Sequence, residues 1–534
     1  MISYLRNFFS KNNFLKGSFL IAIVFIITRA PYYFFYSSIN VSSDSASYIA
    51  AAFDIINSRH VLFDIRTPGY PLFISMIWIF AKSYYAIAFV QSMIALLSGI
   101  FLLKVINKYY PSVTILSSIS IAAFLSSSFF VILETSFLTE SLFISSMIFT
   151  CAFMISAMKR MKLTDWIYFS SFAAITIIIR PAGLFLAGVL LLLLFYFIVN
   201  KFKPNYYVAL IMPFSFIILS LCSYNFATLN KFTITPFGEA NLSGVTILFM
   251  EPSEKYSSKV NEAIKTTLDS IPTKDINYVR NNNSITGLYE KFKNNFYRQM
   301  NLTGNLLADN PGMMFTDIQP VLREISIDAI KKNPKIYLKF FICNFIYFFN
   351  NSRMTMSYFD ELSKIYKRTV IEKKYIAELE SGKWKQISSD KSDNDEVKVF
   401  YQSVMNERSN SDNYIISNDS VGLKETFAKK IYEYYEIFCD FVFRNFLWLV
   451  IFLMTFILST YRTLKSGLKD KDAFIVFLIG IMFVSKALLV SSVESSLVRY
   501  SYTVEFAIFL SLPFLIILLK SKKVLFQKNI NHNK

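Results

Sequence analysis

Apolar stretches of about twenty residues recur along this chain, each long enough as a helix to cross a bilayer core of about 30 Å. They lie at 18–36, 84–106, 112–132, 141–158, 165–179, 182–199, 206–223, 438–461, 473–490 and 502–519. The expected fold is an all-α polytopic membrane protein with about ten transmembrane helices. Composition points the same way: 54% of the 534 residues are hydrophobic, and the mean hydropathy is +0.41.

The net charge of +18 would suggest a nucleic-acid partner in a soluble protein. Here much of the excess flanks the apolar runs, as the positive-inside rule requires, so no nucleic acid is expected. Arg6, Lys11 and Lys16 precede the first run with no acid among them, which puts the N-terminus in the cytoplasm. That run is long and lacks a small-residue cleavage pattern, so it reads as a first span and not as a signal peptide.

Three regions result. Residues 1–223 form an N-terminal transmembrane module, expected to be catalytic. Residues 224–436 form a long extracytoplasmic region, and 437–534 hold the last spans and a basic cytoplasmic tail. The apolar run Ile336–Phe349 decides the orientation of the last three spans. If it spanned, the basic Arg462–Lys471 loop and the Lys-rich tail would both lie outside, so an interfacial helix near 336–349 is expected. Leu72–Phe80 is too short for a span and reads as interfacial or part of a bent helix, and Ser388–Asp419 reads as a mobile external loop. No inverted repeat of the transporter kind is visible. The location is the cell membrane, with both termini cytoplasmic.

The chemistry gathers in Ser42–Pro71, SSDSASYIAAAFDIINSRHVLFDIRTPGYP, directly after the first span. Ser43 or Asp44 can cap a helix whose apolar stripe is Tyr48, Ile49, Ala52, Phe53, Ile55 and Ile56. A helix of that pattern lies along a membrane surface. Arg66–Pro71 then forms a turn, since each proline disfavours helix in the residue before it.

On this topology Asp44, Asp54, Asp64, Arg66, Glu134, Glu140, Arg180, Lys486, Glu494, Arg499 and Glu505 fall at the outer ends of spans, while the inner ends carry mainly lysines. Ionisable groups at membrane depth face a cavity or one another, so one outer cavity is expected. Each has a plainer role available. Asp44 suits a cap, Asp54 a solvated face, Glu140 the positive end of a helix, and Arg180 an interfacial anchor. Arg66, Lys486 and Arg499 suit phosphate.

The four cysteines, Cys151, Cys222, Cys343 and Cys439, sit in apolar runs without metal-ligand spacing, and the only histidines are His60 and His532. No Gly-rich phosphate loop, HExxH or GxSxG occurs. Activated nucleotides are generally lacking outside the membrane barrier, and a lipid carrier with a phosphate leaving group fits that setting.

Several short motifs resemble the polytopic glycosyltransferases of the GT-C superfamily. They are DSASY at Asp44–Tyr48, RTPGYPLF at Arg66–Phe73, LTESLF at Leu138–Phe143, RPAGLFL at Arg180–Leu186, Asn225–Leu242, and RYSYTVEF at Arg499–Phe506. The nearest likeness is to family-39-like enzymes, the relatives of protein O-mannosyltransferases and lipid A aminoarabinose transferases. It covers the first 240 residues or so and the final span, while about 250–435 matches nothing. The resemblance implies a GT-C-like bundle with interfacial outer helices and a polyprenyl-phosphate sugar donor. The acceptor would be a glycan, lipid or protein outside the cytoplasm.

It also implies an acidic catalytic base in the first outer loop, which falls on Asp44. Asp54, Arg66, Tyr70, Glu134, Glu140, Arg180, Lys486 and Arg499 are then the expected substrate-binding residues. Ser43 and Ser45 flank Asp44 where such loops often carry an adjacent acidic pair. No cofactor follows, and no ligand constellation supports a divalent metal. A glycan polymerase or ligase would use the same kind of donor. A lipid or glycan transporter would need a second, inward-facing site.

Overall fold

The computed structural model describes residues 12–35, 44–57, 63, 66–81, 83–235, 238–281, 287–293, 295–308, 315–351, 434, 437–438, 441–442, 446–494 and 498–532. Asp64, His60, Cys439 and the Ser388–Asp419 segment lie outside them.

Every regular element among the described residues is a helix. In the first half these are α1 (Asn13–Phe35), α2 (Ser45–Ile56), α3 (Gly69–Ala81), α4 (Tyr84–Tyr109), α5 (Thr114–Leu125), α6 (Ser128–Glu134), α7 (Glu140–Arg160), α8 (Leu163–Ile179), α9 (Phe185–Val199) and α10 (Pro204–Leu229). The middle holds α11 (Gly238–Thr246), α12 (Ser258–Asp269), α13 (Thr273–Asn281), α14 (Leu288–Phe292), α15 (Asn295–Ala308), α16 (Phe315–Lys332) and α17 (Pro334–Asn351). The chain closes with α18 (Phe446–Lys465), α19 (Lys471–Val493) and α20 (Phe506–His532).

Seven helices are long and apolar enough to cross a membrane, or eight if α5 and α6 are taken as one bent span. The sequence leads one to expect about ten. The difference lies in α5–α6, in α8 with its 17 residues, and in α20, which is apolar only over Phe506–Lys520. The 112–132 run is not one straight helix: it turns by 64°. The break falls in Ser126-Ser127-Ser128, where the Ser126 hydroxyl donates to the Ala123 carbonyl, the local competition that makes serine a weak helix former. α3 has 13 residues, about 20 Å, too short to cross. α17 is not among the seven.

Two main cores form. The larger lies inside the bundle, where Trp166, Phe143, Met147, Phe197 and Leu478 are wholly buried. The second belongs to the middle region, where Leu248, Phe249, Leu302, Leu322 and Phe340 join α11 to α17 around an apolar centre of their own. Outward apolar side chains such as Met212, Phe216 and Leu219 on α10 are exposed, as a lipid-facing surface would have them. α17 joins the two cores through Phe348 and Phe349, whose rings lie 5.6 and 5.3 Å from Phe483 of α19.

The two ends of the bundle differ. One carries short structural pairs: Lys159 to Asp472 at 2.5 Å, Arg160 to Asp165 at 3.5 Å, and Arg462 to Asp470. The other carries a cluster of charged groups around Asp44.

Candidate functional site

The turn between α6 and α7 is the seat of the site. The fully buried Ser45 hydroxyl, just inside α2, donates to the Phe137 carbonyl at 3.0 Å and sets α2 on that turn. Beneath it, Tyr48 and Tyr70 meet edge to face at 5.2 Å, and the Tyr70 hydroxyl donates to Gln91 at 2.8 Å. Gln91 in turn donates to the Glu134 carbonyl at 2.7 Å.

The RTPGYP turn does more than reverse the chain. The Thr67 hydroxyl donates to the Ile179 carbonyl at 3.3 Å, and a Cβ on Gly69 would lie 2.6 Å from the Ile178 carbonyl oxygen. Only glycine allows that approach, which docks the start of α3 on the end of α8, beside Arg180. Pro71 falls in the first turn of α3, where its missing N–H costs no hydrogen bond.

Asp44 occupies the N-cap position of α2, but its side chain makes no capping bond. Asp44 does not serve as the expected cap, because two guanidinium groups take both carboxylate oxygens; Ser43, the other expected cap, lies outside the described residues. Arg66 Nη2 donates to Oδ1 at 2.8 Å, and Arg499 Nη1 donates to Oδ2 at 2.9 Å. Arg66 is itself fixed by Ser47 at 2.8 Å and by the Tyr48 ring, 4.6 Å from its guanidinium carbon. Burial pushes the Asp44 carboxyl up, but Arg66 and Arg499 outweigh it and hold the group well below the usual carboxylate range.

Glu140 opens α7 and pairs with Arg180 at 2.5 Å, with Arg499 Nε 3.9 Å away. That Nε–H is buried and, among the described residues, has no acceptor. Lys486 on α19 is fully buried. Its ammonium lies over the Phe143 and Phe185 rings at 5.3 and 5.9 Å, and its hydrogen bond is a 3.4 Å contact to the Ala182 carbonyl. Among the described residues no carboxylate pairs with it.

Six of the expected residues therefore come together: Asp44, Arg66, Glu140, Arg180, Lys486 and Arg499. Tyr70 lies beneath them, behind Tyr48. Glu134 is elsewhere, fully buried and bidentate to Arg29 of α1 at 2.8 and 2.9 Å, with Ser92 donating at 3.1 Å. Asp54 is half-buried, nearly three turns or about 15 Å along α2 from Asp44.

Two members of the cluster are not among the expected substrate-binding residues: Glu494, which the sequence places only among the outer-end groups, and Tyr500. The Tyr500 hydroxyl accepts from Arg499 Nη2 at 3.1 Å and donates to Glu494 Oε1, and the Tyr500 ring lies 5.2 Å from the Arg180 guanidinium. Tyr500 follows Arg499 directly, and Glu494 ends the span that carries Lys486; those adjacencies are the available signal. Burial pushes the Glu494 carboxyl up, against the Tyr500 hydrogen bond and the nearby Arg499, Arg180 and Lys486 charges.

Among the described residues no three His, Cys, Asp or Glu side chains gather as metal ligands. The cluster sets four basic side chains against three carboxylates, and two of them, Lys486 and Arg499, hold buried donor capacity with little or no acceptor among the described residues. That arrangement suits an anion. No family model, curated protein or solved structure matches this chain.

Proposed function

We propose that this chain is a membrane glycosyltransferase that moves a sugar from a polyprenyl-phosphate donor to an extracytoplasmic acceptor, with inversion. The observation that carries the reading is the unspent cationic capacity of Lys486 and Arg499 Nε at one end of an apolar bundle. A phosphate attached to a lipid tail is an anion that reaches such a place from the bilayer. The resemblance to GT-C enzymes, resting on the same residues, supports the reading. The lysine-rich opposite end marks the cytoplasmic side by the positive-inside rule.

In this mechanism the acceptor hydroxyl attacks the anomeric carbon as the bond to phosphate oxygen breaks. The electron pair leaves with the phosphate, where Arg66, Arg180, Lys486 and Arg499 stabilise the gathering charge. Asp44 holds Arg66 and Arg499 side by side for that task. A phosphate leaving group needs little protonation, so one base suffices, unlike the two carboxylates of glycosidases.

The deciding test has two arms. Mass spectrometry of envelope lipids, glycans and proteins from cells with and without the gene should reveal one missing sugar. Purified protein should bind prenyl phosphate, with Arg180→Ala and Arg499→Ala each weakening it by about 2–5 kcal/mol. Movement of a prenyl-linked glycan across vesicles without release of prenyl phosphate would make the chain a transporter instead.

A further inference from the structure

The resemblance assigns the base to Asp44, but the geometry around the cluster points to a different carboxylate. We infer that Glu494 takes the proton from the acceptor hydroxyl, and that the middle region, through α17, holds it in place. This rests on the glycosyltransferase reading.

Three observations carry it. First, both Asp44 oxygens already serve guanidinium groups, so a proton could be accepted there only by giving up an ion pair. Glu494 makes no ion pair among the described residues, and its one side-chain hydrogen bond comes from Tyr500. Second, Tyr500 bridges the two carboxylates: its hydroxyl accepts from the arginine that holds Asp44 and donates to Glu494. Glu494 thus sits beside the cationic group without being neutralised by it. Burial also raises the proton affinity of its carboxylate, which makes it the stronger base once ionised, whereas the two arginines lower that of Asp44.

Third, the backbone that carries Glu494 is built to be fixed. The last carbonyls of a helix lack partners within the helix, and those of α19 are met by α17. Tyr337 donates to the Ser492 carbonyl at 2.6 Å. Asn344 donates to the Ser491 carbonyl at 3.3 Å and to the Glu494 carbonyl. Those bonds tie the second core to one point of the site, the end of α19.

The step balances. The acceptor O–H bond breaks and its proton passes to Glu494. The acceptor oxygen bonds to the anomeric carbon, and the carbon–oxygen bond to phosphate breaks with its electrons. The products are a glycosylated acceptor, prenyl phosphate and a protonated Glu494, which then loses its proton to water.

The test uses the full chain in detergent, a panel of short prenyl-phosphate-linked hexoses and pentoses as donors, and membranes from cells lacking the gene as acceptor. Release of prenyl phosphate gives the rate, and prenyl phosphate alone reports binding. Glu494→Gln should lower kcat by about 100-fold or more, while prenyl phosphate affinity stays within about threefold and the melting temperature holds. Asp44→Asn should weaken both binding and rate, with a smaller loss of kcat than Glu494→Gln. A Glu494→Gln protein with wild-type kcat would overturn the inference and leave the glycosyltransferase reading standing. So would an inert Asp44→Asn protein that still binds prenyl phosphate normally, which would return the base to Asp44. If Glu494→Gln fails to fold, Glu494→Asp replaces it, and unchanged kcat on withdrawing the carboxylate by one methylene would equally overturn the inference. A wild-type protein that releases prenyl phosphate from no donor would sink both.

Discussion

Arg29 and Glu134 share two hydrogen bonds with both side chains buried, and Arg29 reaches further to Thr28 at 2.7 Å and to the Leu125 carbonyl at 2.5 Å. The guanidinium also rests on Phe25, 4.1 Å from the ring centre. Both Glu134 oxygens already accept from Arg29 or Ser92, which argues against a direct contact of substrate with Glu134. Its work is to hold α1 against the break between α5 and α6. Removing one member strands the other as a buried charge, so Glu134→Ala should cost about 3–5 kcal/mol of stability. The double replacement Arg29→Met with Glu134→Leu should recover most of it. Thermal unfolding in detergent reads both variants. Loss of prenyl phosphate binding by Glu134→Ala at unchanged stability would put Glu134 in the binding set after all.

At the scale of elements, the helices are legible in the sequence because hydropathy is a local signal: helices cover nearly all of the described part of each of the ten apolar runs, apart from the serine break in 112–132. The 64° break in 112–132 is not, since a triple serine permits a bend without requiring one. Site residues can be named singly, but their pairing cannot. Asp44 and Arg499 stand 455 positions apart, and nothing local distinguishes an aspartate that caps a helix from one that binds two arginines. Arg29 inside the first span is a readable sign of a buried partner; the identity of that partner requires the fold. α17 reads as an apolar run lying in the interface, and its hydrogen bonds to the end of α19 have no signature in the sequence. They carry a consequence. Asn344→Ala leaves the Ser491 and Glu494 carbonyls without that donor, and small misplacements of a reacting group cost up to about 100-fold. The variant should lose kcat by about tenfold or more with little change in KM for the prenyl-phosphate donor. A lowered melting temperature with normal kcat would mean that Asn344 only braces the fold.

The whole molecule is a bundle whose two ends carry different chemistry, with a second helical core packed against one side of it. Which end faces out rests on charge: Lys104, Lys108, Lys159, Arg160, Lys201 and Lys203 gather at the end away from Asp44. It rests also on α17, because a crossing there would reverse α18, α19 and α20. α17 has Lys335 and Lys339 in its first turns, and its apolar side chains divide between two tasks. Phe340 and Cys343 are buried in the second core, and Phe348 is buried against the bundle. A third stripe, Leu338, Ile342 and Ile346, is exposed, as on a helix lying in the membrane interface; with α17 outside the set of helices long and apolar enough to cross, this argues for an interfacial strut beside the bundle and against a span. Two exposed lysines test this, in a background lacking the four native cysteines. Lys255 lies before α17, and Lys469 lies in the turn between α18 and α19. With α17 outside the membrane, Lys255→Cys should react with an impermeant maleimide in intact cells, and Lys469→Cys only after the membrane is opened. If both react in intact cells, α17 crosses the bilayer, and the end of α19 that carries Glu494 would face the opposite side from Asp44. The cluster of Asp44, Arg499 and Glu494 could not then exist, so this labelling experiment tests the site as well as the topology.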